Sequence, residues 1–133
     1  MASRIFDKVM ALQKQVIILE GRFAVGSSGA VSGLKGAGIK SVTKESGTGV
    51  YSIVLDDQFN RFLGINFSVA HATSSGVAVV MLTDVSPDGN VQAGTALPVL
   101  CLDFANSAAN PADGSVVFFT ITLRNSLVKG KGE

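Results

Sequence analysis

The sequence predicts an all-β domain, an antiparallel β-sandwich or jelly-roll-like barrel with a short N-terminal helix or arm. Three observations carry this prediction. Apolar side chains recur with period two in run after run, the pattern of strands buried on one face. Turn-forming clusters of Gly, Pro, Asn, Asp and Ser separate the runs at 46–49, 86–90 and 110–114. Most connections are too short for the crossovers that a parallel sheet needs. At 133 residues the chain fits one domain with one core.

The elements follow in order. Residues 1–15 hold the one helical pattern: Ile5, Val9 and Leu12 fall at i, i+4 and i+7, Phe6 and Met10 widen the stripe, and Ser3 stands where an N-cap belongs. From Val16 the period changes to two, with Ile17, Leu19, Phe23 and Val25 on one face and Glu20 and Arg22 on the other. Residues 26–38 are rich in Gly and Ser and read as a long loop or a flattened hairpin tip. Short strands are predicted over 39–44 and 50–56, the second alternating Tyr51, Ile53 and Leu55 with Ser52, Val54 and Asp56. Residues 63–72 give the cleanest alternation, with Ile65, Phe67, Val69 and His71 on one face. Residues 76–85 are almost continuously apolar, as in a strand covered on both faces. Another strand spans 96–104, which Pro98 pushes towards an edge, or its first residues towards a bend. The last strand, 115–125, turns Val117, Phe119, Ile121 and Leu123 inward. The organisation is therefore an arm at 1–15, a single β-domain at 16–127 containing the 26–38 loop, and a polar tail at 128–133.

Composition narrows the function. Charged residues make up 16% of the chain, against about 25% in ordinary soluble domains. A surface so poor in charge suits lasting contact with neighbours better than free solution. Residues 1–50 carry seven basic and three acidic residues, and residues 51–133 four and seven. Lys35, Lys40 and Lys44 are interrupted by Gly, Ser and Glu45, so no clustered basic footprint for specific nucleic-acid recognition is read here. No run is apolar and long enough for a membrane span, and the charged opening residues do not resemble a secretory signal. The expectation is a protein made and kept in a reducing cytosol.

The chain offers little material for catalysis. His71 is its one histidine and lies at the end of an apolar face, where a core or interface role is the expectation rather than a base. Asp56 and Asp57 are adjacent and point to opposite sides of an extended strand, so turn chemistry explains them better than acid–base work. One His and one Cys thirty residues apart cannot build a zinc site, and Asp84, Asp88 and Asn90 lack the loop register of an EF-hand. Gly33 to Ser41 superficially resembles a phosphate loop, but a β-patterned segment follows where such a loop must open a helix. Cys101, within Leu-Pro-Val-Leu-Cys-Leu, reads as a small buried hydrophobe. Single-stranded nucleic-acid binding would want aromatics interleaved with basic residues, and the eight Phe fall mostly on inward faces. No catalytic residue, cofactor site or metal site is predicted.

Three segments together carry a family likeness: Leu-Glu-Gly-Arg-Phe-Ala-Val-Gly at 19–26; Gly-Ala-Gly-Ile-Lys-Ser-Val-Thr at 36–43 with Gly-Val-Tyr-Ser-Ile-Val-Leu-Asp at 49–56; and Thr-Ile-Thr-Leu-Arg-Asn-Ser at 120–126. The arrangement resembles small virion structural proteins of tailed bacteriophages, of the capsid decoration or cement type. That resemblance implies a non-enzymatic protein on the exterior of a capsid. There it would bind the major capsid protein at subunit junctions and itself as a homodimer or homotrimer, with no specific nucleic acid, no membrane and no cofactor as partners. Ile5, Phe6, Val9, Met10 and Leu12 of the arm, with Leu34 and Lys35 of the glycine-rich loop, are the expected partner contacts. The competing expectations are a tail, baseplate or fibre-attachment component, and a small carbohydrate- or nucleic-acid-binding β-module.

Overall fold

The computed structural model describes residues 16–125; the expected arm at 1–15 and the tail at 128–133 lie outside the described residues. Eight strands form in chain order: β1 (Val16–Val25), β2 (Val31–Lys35), β3 (Ile39–Lys44), β4 (Val50–Leu55), β5 (Arg61–Ala70), β6 (Val79–Leu82), β7 (Leu97–Leu102) and β8 (Val116–Arg124). A 3-10 turn occupies Ser27–Gly29, and one short helix, α1 (Asp88–Ala93), lies between β6 and β7. All pairings are antiparallel. They build two four-stranded sheets: sheet I in the order β2-β1-β8-β5 and sheet II in the order β3-β4-β7-β6. The edges β2 and β3 approach along one side and β5 and β6 along the other, so the sheets pack face to face as an antiparallel sandwich.

The alternating residues meet between the sheets. Phe23 and Val25 of β1, Tyr51, Ile53 and Leu55 of β4, Leu97, Val99 and Cys101 of β7, and the four inward residues of β8 are all buried. Ile17, Leu19, Ile65, Phe67 and Val69 pack against them. Four rings run through this core, with centroids 6.4 Å apart for Phe67–Phe119, 6.3 Å for Phe119–Phe23 and 5.6 Å for Phe23–Tyr51. Tyr51 belongs to sheet II and the other three to sheet I, so the last contact joins the sheets. Gly21 interrupts the apolar face of β1 for a steric reason. It pairs with Phe119, and a Cβ there would lie 2.5 Å from the Phe119 ring.

One end of the sandwich is tied by polar groups. The Tyr51 hydroxyl donates to the Gly29 carbonyl at 2.8 Å. Asn110 accepts from the Gly49 amide through Oδ1 at 2.7 Å and donates to the Ser28 carbonyl through Nδ2 at 3.3 Å. Three turns that are far apart in sequence are thereby held together.

Four readings are corrected. The 26–38 segment is not a bare loop, because it contains β2. Between the pairs Arg22↔Lys35 and Ala24↔Ser32, β2 holds one residue more than β1, a bulge at Gly33 with φ +59°. Only four residues of the apolar 76–85 run pair, and they form an edge strand whose outer side is open. Pro98 sits in an interior strand, between β4 and β6. Its carbonyl accepts from the Thr83 amide at 3.1 Å, but it has no N–H to return, and β6 ends at Leu82. The turn at 86–90 instead leads into α1, closed by Gly94 in the left-handed region. Asp88, the first residue of α1, accepts from the Phe62 amide at 2.8 Å and pairs with Arg61 at 2.9 Å.

Tyr51→Phe removes the hydroxyl that satisfies the Gly29 carbonyl and leaves the ring contacts in place. The expected loss of unfolding free energy is about 1–3 kcal/mol. It should be read as a lower urea midpoint with an unchanged slope.

Candidate functional site

The residues with chemical potential are employed structurally. His71 Nδ1 accepts the backbone amides of Thr73 and Ser74, each at 3.1 Å. The ring proton therefore sits on Nε2, which donates to the Asp113 carbonyl at 3.0 Å. His71 pins the 71–74 turn to the 110–114 turn, with neither nitrogen left to act as a base. Asp56 and Asp57 are exposed and line a polar recess of about 360 Å³ with Lys40, Gln58 and Gly94. Asp84 accepts from the Ser86 amide at 2.8 Å and from Asn90 at 3.1 Å, while Asp88 is turned to Arg61, so the three do not converge on one ion. Among the described residues no three His, Cys, Asp or Glu side chains are grouped to hold a metal. The segment resembling a phosphate loop runs strand, turn, strand. No helix among the described residues is long and apolar enough to cross a membrane.

The outer faces of the two sheets are what remain, and they differ. In sheet II the strands β4, β7 and β6 contain no charged residue. Their outward side chains form rows across the sheet: Val79 beside Leu102, then Met81, Leu100 and Val50, then Pro98 and Ser52. Val79 is 47% exposed and Met81 41%, and Val50, Pro98, Leu100 and Leu102 are half-buried. Glu45 reaches this face from the β3–β4 turn, accepting from the Ser52 hydroxyl at 2.8 Å. Phe104 and Val85 stand beyond opposite ends of the β6–β7 pair, exposed at 83% and 101%. Phe104 is presented by a rigid turn, in which Asp103 Oδ1 accepts the amides of Ala105 and Ser107 at 2.8 and 3.0 Å. A water-facing antiparallel sheet ordinarily alternates apolar with polar residues, and this one does not.

No family model, curated protein or solved structure matches this chain.

Sheet I turns mostly polar groups outward, although Ile18, beside Thr122, and Leu63 at the β5 irregularity are also exposed. Thr120 and Thr122 of β8 lie beside Asn66 and Gly64 of β5, and one row crosses all four strands as Lys35, Arg22, Phe118 and Ser68. Of the sequence-predicted contacts, Lys35 is exposed on this face, whereas Leu34 is half-buried against the core. Ile5, Phe6, Val9, Met10 and Leu12 lie outside the described residues. Sequence reasoning missed Val79, Met81, Leu100 and Leu102 as a surface. Their signal was present in apolar residues at both parities of 79–82 and 97–102, a pattern that requires cover on two sides when the sandwich supplies one.

Cys101 is buried as expected. Burial pushes its thiol up to about 11, with nearby Lys44 partly offsetting. Burial, and secondarily Cys101, push the Tyr51 hydroxyl up to about 12. Both groups are neutral when protonated, and the unfolded chain ionises first, near 9 and 10. Stability is therefore expected to be full below about pH 9 and to fall progressively as pH rises through 11–12. Urea midpoints measured from pH 8 upward check this. Tyr51→Phe and Cys101→Ala should each flatten part of the decline.

Proposed function

We propose that this chain is a non-enzymatic structural protein that docks the outer face of sheet II on the shell of a larger assembly, as a capsid decoration or cement protein does. The observation that carries the reading is the uncharged outer surface of β4, β7 and β6, flanked by Phe104 and Val85. An apolar sheet face of this kind gains free energy when a partner excludes water from it, at about 25 cal/mol per Å². The low overall charge and the likeness to tailed-phage decoration proteins support the same conclusion. The occupant is the major capsid protein. Many symmetric copies on one shell raise occupancy beyond what each contact supplies alone.

The test is co-sedimentation with empty shells of the candidate capsid protein across a salt series. Binding should change little with salt, because the contacting strands carry no charge. Met81→Glu should lower affinity at least about 100-fold, since a carboxylate would be buried without a partner. Its thermal midpoint should stay close to that of the unaltered protein, because Met81 is already partly exposed. Deleting residues 1–15, the expected arm, should weaken attachment and leave the described sheets folded. An unaltered protein that ignores the shells, or a Met81→Glu variant that binds them equally well, would contradict the proposal.

A further inference from the structure

The outer face of sheet I carries a different chemistry. Phe118 points away from the core and is 38% exposed. In its row, Arg22 lies directly across β1 and Lys35 directly across β2, and paired residues on one sheet face are near neighbours. Two adjoining grooves of about 320 and 310 Å³ share Arg22, Lys35 and Phe118 in their walls. Glu20 is the one acidic side chain lining either groove. Beyond Phe118 the outward residues of β8 are Thr120, Thr122 and Arg124, flanked by Asn66 and Ser68 of β5. An aromatic ring with two cations in file on one side and Ser68 on the other, followed by hydroxyl and amide groups, matches what a single nucleic-acid strand offers: a flat base to stack and a run of phosphates.

The charge distribution favours the same ligand. Val16 pairs with Arg124, so the segments on either side of 16–125 join sheet I at the same end. They contain Arg4, Lys8, Lys14, Lys129 and Lys131 against Asp7 and Glu133. Acidic residues outnumber basic ones within 16–125, and the excess positive charge of the chain is carried by the segments that adjoin β1 and β8. We infer that the groove over Phe118, Arg22 and Lys35 binds single-stranded nucleic acid without sequence preference, with a base on the Phe118 ring and phosphates on the two cations. This is independent of the docking proposed for sheet II, which lies on the opposite side of the sandwich. The alternation of β8 leaves Phe118 outward, and its neighbours Arg22 and Lys35 come together only through the β1–β8 and β1–β2 pairings.

The experiment is fluorescence anisotropy of the full chain with a labelled oligodeoxythymidylate and an oligouridylate of about 12 nucleotides. Binding should appear at low ionic strength and fall with salt. Phe118→Leu, which keeps an apolar side chain but loses the ring, should weaken it about 5- to 100-fold. Arg22→Gln and Lys35→Gln should each reduce the salt slope by about 0.7, and Met81→Glu should have no effect. Absence of binding would overturn the inference. So would binding that heparin competes away while Phe118→Leu and the two Gln variants match the unaltered protein, because charge on the flanking segments would then suffice. Equal binding of polyglutamate would overturn it as well.

Discussion

The contact between Phe23 and Tyr51 is the constraint on which the rest of the sandwich rests. It joins the central strand of one sheet to that of the other, and the chain from Phe23 through Phe119 to Phe67 carries the same packing across sheet I. The Tyr51 ring can be buried only because its hydroxyl finds the Gly29 carbonyl, since an unpaired buried hydroxyl is costly. That bond fixes the turn after β1, and Asn110 fastens the turns at 26–30 and 46–49 to the segment before β8. Packing inside the sandwich and polar bonding at its end are therefore one arrangement.

Because that interior is complete, the outer faces are free to specialise. Sheet I presents mainly hydroxyls, amides and a few cations beside one ring, with Ile18 and Leu63 also exposed, a mixed face compatible with water and with a charged ligand. Sheet II presents aliphatic rows on three adjacent strands, a surface that water solvates poorly. The edge strand β6 is also short, and its pairing ends where Pro98 cannot donate. Short edges limit indiscriminate strand addition, which leaves the face rather than the rim as the surface for the proposed docking.

Much of this was legible in the sequence, and the failures have identifiable causes. β4, β5 and β8 alternate cleanly, so the inward residues Tyr51, Ile53, Phe67, Phe119 and Ile121 could be read directly. β2 was hidden because the bulge at Gly33 spaces Val31 and Leu34 by three, which breaks the period-two signal although both pack against the core. α1 was hidden because Pro87, Asp88 and Gly89 open turns and helices alike, and six residues give too little periodicity to decide. The apolar run at 76–85 pointed to cover on both faces. The chain covers one, and the open side became the candidate surface. The outward position of Phe118 follows from the alternation of β8, but its basic neighbours depend on strand pairing rather than on adjacency in sequence.

The most direct measurement is oxidative footprinting of Met81, comparing the isolated protein with the same protein on the proposed capsid shells and reading the modified peptide by mass spectrometry. Met81 is partly exposed on sheet II, so the isolated chain should oxidise there readily. Strong protection of Met81 in the presence of the shells is the predicted result. Equal oxidation in both states would show that this face stays in water and would contradict the docking role assigned to it.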